Sequence, residues 1–257
     1  MTYKIAFFDV DGTITSCDDG TIPTSTKEAI RALKDQGIKV VAATGRPLSM
    51  CQSIQDLGID TFITANGGYA KHATEVIHKM TMDQQIVQQV YDFARDREHG
   101  LSFYTEDYFM NGVRNPQILN ALKETLFLHD YPAFDEFIYH QEIYLMCLFA
   151  SDEMVESYRT HFPHLTFLRW HPYVVNVLQE DVSKSIAIRK VLDYFGLDKT
   201  EAIAFGDGEN DIDMLEFVGF GVAMGNGNER VQSSADYVTK KSSEDGIEHA
   251  LKNLGIL

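Results

Sequence analysis

The first third of this chain alternates short apolar runs with turns and amphipathic helices. Strands are predicted at 4–8, 39–43 and 61–63. Between the first two, Ser25 and Glu28 have the spacing of a capping box, and Gly37 ends the helix that they begin. Short apolar strands separated by helices are typical of a parallel sheet covered on both faces. We therefore expect an α/β fold with a doubly wound, Rossmann-like parallel sheet.

The last third returns to the same pattern. A helix is predicted from Lys184 to Phe195, and Gly196 ends it. Strands are predicted at 202–205 and 219–223, and each runs into a glycine-containing turn. The two ends of the chain, 1–81 and 182–257, are therefore expected to share one core domain.

The middle of the chain, 82–181, has a different pattern. Helices are predicted at 83–98, 115–127 and 152–161, and strands at 101–105, 108–112, 142–149, 165–170 and 173–179. Strands that follow each other without a helix between them pair in an antiparallel manner. We expect an inserted α+β cap domain that sets substrate specificity.

Charge restricts the possible partners. The chain has 257 residues, 44% of them hydrophobic, and a formal net charge of -16. The hydrophobic content is sufficient for a buried core. The negative charge repels nucleic acid and anionic lipid, so neither is an expected partner. It would also repel a phosphorylated ligand, so a site for one must supply positive charge locally.

The expected compartment is the cytoplasm. No apolar run reaches the roughly 20 residues that a membrane-spanning helix needs. The N-terminal residues lack the pattern of a signal peptide. Cys17, Cys51 and Cys147 are odd in number and widely spaced, which fits neither a disulfide framework nor a zinc site.

Acidic side chains follow the predicted strands. Asp9 and Asp11 come after the first strand, and Asp207 and Asp211 come after a late one. In an open parallel sheet, ligands bind beyond the carboxyl ends of the strands. Four carboxylates that converge there repel each other unless a cation lies among them. Ligands that offer only oxygen favour a hard ion, and Mg²⁺ suits a phosphate site best.

These residues also suit phosphoryl transfer. Asp9 is best placed to attack phosphorus, and Asp11 to protonate the leaving group and then activate water. Donors for the phosphoryl oxygens are the Thr44 hydroxyl, the Gly45 amide, the Lys184 ammonium and the Asn210 amide. Each feature alone also fits an ordinary turn or a solvated side chain. Their order along the chain, each at a predicted strand or helix end, favours an active site.

Four segments together resemble the motifs of the haloacid dehalogenase superfamily. They are Asp9–Thr13, Ala43–Pro47, Lys184 and Gly206–Asp211. The late segments Ala223–Gly227 and Ala235–Val238 resemble the Cof-type branch (subfamily IIB), in which an α+β cap lies between the second and third motifs.

The resemblance implies a phosphatase mechanism with an aspartyl-phosphate intermediate. It assigns Asp9 as nucleophile and Asp11 as acid and base. By resemblance, Mg²⁺ is held by Asp9, the backbone carbonyl of Asp11 and Asp207, with support from Asp211. Thr44, Lys184 and Asn210 bind the phosphoryl group. The usual substrates of the branch are sugar phosphates and other small phosphomonoesters. Thr15 and Ser185 depart from the branch pattern without touching a catalytic role.

Substrate specificity is less defined by the sequence. Arg46, Asn66, Arg169 and His171 are tentative specificity residues, although Asn66 fits a plain turn equally well and the last two fit an ordinary surface. Trp170 fits a core position. Two other functions remain open: a phosphosugar mutase, and a non-catalytic sensor of a phosphorylated ligand. The sequence indicates neither the physiological substrate nor the oligomeric state.

Overall fold

The structure, a computed structural model, describes residues 3–257. Contacts divide the chain into two compact units. The core unit comprises the residues up to Gly45, Cys51–His78 and Ser183–Leu257, and the cap unit comprises Arg46–Met50 and Lys79–Val182.

The core unit contains one eight-stranded sheet. Its strands are β1 (Ile5–Phe8), β2 (Lys39–Ala43), β3 (Thr61–Thr64), β4 (Tyr69–His72), β5 (Glu75–Lys79), β12 (Ala202–Gly206), β13 (Phe220–Ala223) and β14 (Tyr237–Val238). The strand order is β14-β13-β12-β1-β2-β3-β4-β5. The pairs from β14 to β3 are parallel, and β4 is antiparallel to β3. The first strand thus lies at the centre, between β12 and β2.

Helices cover this sheet because its strands are apolar on both faces. The core helices are α1 (Thr24–Asp35), α2 (Gln52–Gln55), α6 (Lys184–Phe195), α7 (Ile212–Phe217), α8 (Glu229–Ser233) and α9 (Gly246–Asn253). Ile5 and Phe7 of β1 share a buried cluster with residues of α6 and α7. Side chains alternate along a strand, so Ala6 and Phe8 point to the opposite face. There α1 packs on β2 and on α9.

The cap unit is an α+β structure with its own core. Its strands are β6 (Gly100–Tyr104), β7 (Tyr108–Met110), β8 (Ala133–Phe134), β9 (Leu145–Phe149), β10 (Thr166–His171) and β11 (Val174–Leu178), and its helices are α3 (Gln84–Arg95), α4 (Pro116–Leu126) and α5 (Asp152–His161). The strand order is β10-β11-β9-β6-β7-β8. All pairs are antiparallel except the last, between β7 and β8. One face of the sheet shares a buried cluster with α3 and α5.

The cap unit extends slightly beyond the segment 82–181. Residues 79–81 also belong to it. The Lys79 ammonium bonds the Glu142 carboxylate at 2.6 Å, and the Met82 amide donates to Ile143 O at 2.8 Å. Residues 46–50 also belong to it, and the Ser49 amide donates to Glu106 at 2.9 Å.

Several local predictions were wrong. Helix α1 begins at Thr24 without a side-chain cap, because the Ser25 hydroxyl donates instead to Asp245 Oδ1. Strands β4, β5 and β8 were not predicted. Trp170 is not a core residue: its side chain is 48% exposed, on the edge strand β10. Within residues 3–257, no helix combines the length and the apolar character needed to cross a bilayer.

Candidate active site

The turn that follows β1 positions Asp9. The Asp9 amide donates to the carbonyl of Phe205 at 2.9 Å, which continues the pairing with β12 beyond the end of β1. The chain then makes one wide turn, in which the Ile14 amide donates to Asp9 O at 3.2 Å and the Thr15 amide to Val10 O at 2.9 Å. Because the turn begins at a strand anchored on both sides, Asp9 is held at the carboxyl end of the sheet.

The Thr15 side chain stabilises this turn. Its hydroxyl donates to Val10 O at 3.0 Å and accepts from the Gly12 amide at 3.3 Å. The side chain is buried, with 4% exposure. An apolar residue at this position would remove the hydroxyl that bonds both backbone groups. The Thr15 hydroxyl therefore stabilises the turn in addition to the packing of the side chain.

Lys184 is the first residue of α6, and its ammonium is completely buried. Nζ lies 2.6 Å from Asp9 Oδ1 and 2.6 Å from Asp211 Oδ1. Burial alone would lower the pKa of Lys184, but the charges and hydrogen bonds of Asp211 and Asp9 outweigh it and raise the pKa above its ordinary value. The lysine is therefore charged, and it is a local positive charge of the kind that a phosphate site in an acidic protein would need.

Asp211 links α6 to the turn after β12. Its Oδ1 accepts from Lys184, and its Oδ2 accepts from the amides of Asp207 at 3.0 Å and Gly208 at 2.9 Å. Both oxygens are thus engaged with the protein. Because one of these partners is the charged Lys184 ammonium, this arrangement fits the supporting role predicted for Asp211, which stays a prediction.

Asp207 lies beside Asp9 and Asp211. One ligand oxygen from each of the three carboxylates lies within 4.8 Å of the others. Burial, followed by the charge of Asp211, raises the pKa of Asp207 to about 7. Burial and the Asp211 charge also raise the pKa of Asp9 well above its ordinary value, and Lys184 only partly offsets them. Ionised carboxylates this close repel each other, and a cation bound among them would relieve that repulsion.

The donor set fits Mg²⁺. All three side chains offer oxygen, and thiol and imidazole groups are absent from this cluster among the described residues. The Asp11 side chain lies outside the cluster, but its charge raises the pKa of both Asp9 and Asp207, so it lies close to them. Asp11 is also more exposed than Asp9, which leaves it accessible from solvent.

The predicted phosphate-binding residues form a second group in the core unit. Thr44 follows β2, where its amide donates to Ile63 O at 2.8 Å and its carbonyl accepts from the Asn66 amide at 3.1 Å. The Asn210 side-chain amide donates to Asn66 Oδ1 at 2.9 Å. A methyl group built on Gly45 would lie 3.0 Å from the same oxygen. Asn66 therefore lies among the residues predicted to bind the phosphoryl group.

The segment that carries Asn66 has an unusual backbone. Ala65 and Asn66 have positive φ angles of 50° and 55°, and Gly67 has a φ of 103°. A methyl group on Gly67 would overlap the carbonyl of Ser183, the residue before Lys184. The close approach of this segment to the start of α6 requires glycine.

The other tentative specificity residues lie in the cap unit. Arg46 Nη1 donates to Met50 O at 3.3 Å. The Arg169 guanidinium bonds Asp152 Oδ1 at 2.8 Å and the carbonyl of Pro172 at 2.9 Å. His171 Nε2 lies 2.9 Å from Glu124 Oε2. These contacts stabilise the cap unit itself, and a role for the three residues in substrate recognition stays a prediction.

The sequence analysis gave no role to Asn226. Its Nδ2 donates to Gly12 O and to Asp207 Oδ2, both at 2.9 Å, and its Oδ1 accepts from the Ser242 amide at 3.0 Å. The signal was present, because Asn226 follows β13, the parallel neighbour of β12, and thus lies at another strand carboxyl end. Thr13, whose hydroxyl donates to Asp207 Oδ1 at 3.0 Å, was likewise not assigned a role.

The comparison with known families settles the class of this protein. The sequence profile of a family described as haloacid dehalogenase-like hydrolase matches residues 6–251, nearly the whole chain. The chain belongs to the haloacid dehalogenase-like hydrolase family. The resemblance seen in the sequence motifs is thereby confirmed.

Several similar proteins of full length carry phosphatase names. The Bacillus subtilis (strain 168) protein named "Putative phosphatase YkrA" is 37% identical over 100% of both chains. From the same organism, 5-amino-6-(5-phospho-D-ribitylamino)uracil phosphatase YitU is 28% identical over 97% of this chain and 96% of its own. The solved structure of the subclass IIB sugar phosphatase BT4131 has a TM-score of 0.83 and 34% identity, over 99% of this chain and 100% of that one.

These similarities establish the reaction class and the fold. This haloacid dehalogenase-like hydrolase is a phosphatase, as predicted. Its α/β fold, with helices around mixed parallel and antiparallel sheets, matches that of its structural neighbours and confirms the predicted fold class.

Proposed function

We propose that this haloacid dehalogenase-like hydrolase is a Mg²⁺-dependent phosphatase of small phosphomonoesters, such as sugar phosphates, and that it acts through an aspartyl-phosphate on Asp9. The observation that supports this most is the buried Lys184, whose ammonium bridges Asp9 and Asp211 at 2.6 Å each. A charged lysine held against one oxygen of a buried aspartate leaves the other oxygen, Oδ2, as the nucleophile.

The first step is attack by Asp9 on the phosphate ester. An Asp9 oxygen forms a bond to phosphorus while the bond from phosphorus to the ester oxygen breaks. The leaving alkoxide takes a proton from Asp11 and departs as an alcohol. Asp11 suits this role because it lies close enough to influence Asp9 electrostatically and is more accessible to solvent.

The second step is hydrolysis of the acyl phosphate. Asp11, now ionised, removes a proton from water, whose oxygen attacks phosphorus. The bond from phosphorus to the Asp9 oxygen breaks, so that inorganic phosphate leaves and the Asp9 carboxylate is restored. One residue thus acts as acid and then as base, and each turnover returns it to its starting state.

Several residues of the core unit stabilise the transferring group. Thr44 and Asn210 each bond Asn66, and Gly45 lies beside it. We assign the Thr44 hydroxyl, the Gly45 amide and the Asn210 side chain to the phosphoryl oxygens, and Lys184 adds a positive charge near the nucleophile. Donors fixed by the fold need little reorganisation as charge develops on the phosphoryl oxygens.

Asp9, Asp207 and the backbone carbonyl of Asp11 would hold Mg²⁺, which would supply positive charge to the phosphoryl oxygens and offset the repulsion among the carboxylates. Asp211 would support them through Lys184 and through the turn after β12. We further propose that the cap unit selects the substrate, that the partner is a small phosphorylated metabolite, and that the enzyme works in the cytoplasm.

Phosphate release tests this proposal. The purified protein should release phosphate from members of a panel of sugar phosphates and other phosphomonoesters with Mg²⁺, and not with EDTA. Asp9→Asn should lower kcat by about 10³-fold or more, because it removes the nucleophile but keeps an acceptor for Lys184. The matched control is Asp18→Asn, the same change at an exposed residue of the core unit. An Asp9→Asn variant as active as the wild type would exclude the mechanism, and a rearranged phosphosugar without free phosphate would identify a mutase.

A further inference from the structure

Asn226 joins two segments that carry proposed metal ligands. Its side-chain nitrogen, Nδ2, lies 2.9 Å from Gly12 O, next to Asp11 in the turn after β1. The same nitrogen lies 2.9 Å from Asp207 Oδ2, at the end of β12. An amide group carries two N–H donors, so one nitrogen satisfies both acceptors.

The orientation of the Asn226 amide is fixed by the protein. Oδ1 accepts a hydrogen bond from the Ser242 amide at 3.0 Å. Ser242 is itself buried, and its hydroxyl accepts from the Cys17 amide at 2.9 Å. A rotated amide would point its NH₂ group at the N–H of Ser242 and its oxygen at the Gly12 carbonyl and the Asp207 carboxylate. Only one orientation therefore satisfies all three neighbours.

Asp207 is held on both oxygens by neutral donors. The Thr13 hydroxyl donates to Oδ1 at 3.0 Å, and Asn226 donates to Oδ2. The ammonium of Lys184, in contrast, bonds Asp9 and Asp211. Neutral donors orient a carboxylate without cancelling its charge, so Asp207 remains a strong ligand for a cation.

We propose that Asn226 is a positioning residue for the metal site, which aligns Asp207 with the turn after β1 so that both segments bind one Mg²⁺ ion. This inference rests on the proposed Mg²⁺ dependence. Hydrogen bonds to metal ligands from outside the coordination shell are worth about 10–100-fold in metal affinity or activity. Asn226 bonds two segments that carry proposed metal ligands, so the loss of metal affinity on its removal should lie within that range.

Mg²⁺ binding measured by calorimetry tests the inference on the metal-free protein. Asn226→Ala and Asn226→Ser should each raise the Mg²⁺ Kd by about 10-fold or more. The matched control is Asn228→Ala. The Asn228 side chain caps α8 through the Val231 amide at 3.1 Å and bonds the exposed Glu209 carboxylate at 3.2 Å, so its loss removes local contacts but no hydrogen bond to Asp207. The Kd of this control should equal that of the wild type.

Thermal unfolding separates a positioning role from a structural one. Mg²⁺ should raise the Tm of the wild type and of Asn228→Ala by similar amounts, because a ligand that binds only the folded state stabilises it. The increase should be smaller in both Asn226 variants. At saturating Mg²⁺, most of the lost activity should return, since the variants retain the nucleophile.

Each outcome decides between the possibilities. A wild-type protein that binds no Mg²⁺ overturns both the metal dependence of the proposed function and this inference. A wild type that binds Mg²⁺, with unchanged Kd in both Asn226 variants, overturns only the inference. If both Asn226 variants fail to fold in EDTA while Asn228→Ala folds, Asn226 is a structural residue, and the inference is equally overturned.

Discussion

The Lys184 ammonium lies 2.6 Å from Asp9 Oδ1, and neither side chain has more than 8% exposure. Taking a charged pair out of water is costly, and the pair persists only because each charge has partners. The cost would be smaller with two apolar side chains, so the pair contributes to the function of the site more than to the stability of the fold. Replacing either residue should therefore have measurable effects.

Replacing Lys184 should destabilise the protein strongly in EDTA. Lys184→Met keeps much of the side-chain volume but leaves Asp9 and Asp211 buried without their counter-charge. A broken buried pair costs about 3–5 kcal/mol, which urea denaturation can measure. Lys252→Met is the control: this lysine is 60% exposed and pairs with Glu248 on α9, so its loss should cost less than about 0.5 kcal/mol. A cost for Lys184→Met as small as that of the control would show that the buried pair is not required.

The metal-free enzyme should become less stable as the pH rises from about 4 to 7. In the folded state the pKa of Asp207 is raised from its ordinary value of 3.8 to about 7. The folded state therefore binds more protons than the unfolded state in this window, and it loses that advantage as the pH rises through it. One pKa unit corresponds to about 1.4 kcal/mol, so the loss is on the order of a few kcal/mol.

Urea denaturation in EDTA across this pH range isolates the contribution of Asp207 by comparison with Asp207→Asn. The asparagine does not titrate, so the free energy of unfolding of the variant should fall less steeply with pH. Mg²⁺ should remove most of this difference in pH dependence between the two proteins, since a bound cation favours the ionised carboxylates. Parallel pH profiles for the two proteins in EDTA would contradict the raised pKa.

Thr15→Val should destabilise the turn after β1. The two side chains have nearly the same shape, but valine cannot accept from Gly12 N or donate to Val10 O. The Val10 carbonyl keeps its bond from the Thr15 amide at 2.9 Å, so the main loss is the partner of the part-buried Gly12 amide, which costs about 1 kcal/mol. Thr21→Val provides the comparison, because the Thr21 hydroxyl bonds the exposed Asp19 side chain and should contribute within about 0.5 kcal/mol. Equal stabilities of the two variants would show that the Thr15 hydroxyl has no special role.

Gly67→Ala should cost far more than Gly37→Ala. Both glycines have positive φ angles, 103° and 78°, which strain any residue with a side chain. A methyl group on Gly37 meets nothing within 4 Å, whereas one on Gly67 overlaps Ser183 O. Gly37→Ala should therefore cost about 1 kcal/mol. Gly67→Ala should cost several times as much and lower kcat, because α6 must move and carries Lys184 with it. Similar losses of stability and unchanged activity would exclude this coupling.

The sequence predicted the centre of the fold and of the site for one physical reason. Strands buried on both faces are continuous apolar runs, and a polar residue that ends such a run is conspicuous. Asp9, Thr44 and Asp207 are all found in this way. Lys184 depended instead on its position at a helix start, and the structure places it against Asp9.

The rest depended on long-range contacts that a local pattern does not contain. Strands β4 and β5 carry lysine and histidine at partly exposed positions of the sheet edge, so their apolar signal is weak. Ser25 has the sequence of a helix cap, but a partner 220 residues away, Asp245, takes its hydroxyl. Asn226 had a local signal, its place after the predicted strand 219–223, but its hydrogen-bond partner Gly12 lies 214 residues away in the sequence, so its role could not be assigned from the sequence.

The position of β1 sets an order for folding during synthesis. Ile5 pairs on one side with Lys39 but on the other with Ala202, so the central strand lacks one neighbour until about four-fifths of the chain has been made. The strands of the cap unit, in contrast, find all their partners between Gly100 and Leu178. Domains generally fold as units while the chain emerges from the ribosome. The inserted segment is therefore expected to fold first, and the residues of the candidate active site to meet only after Asp207 and Asp211 have been synthesised.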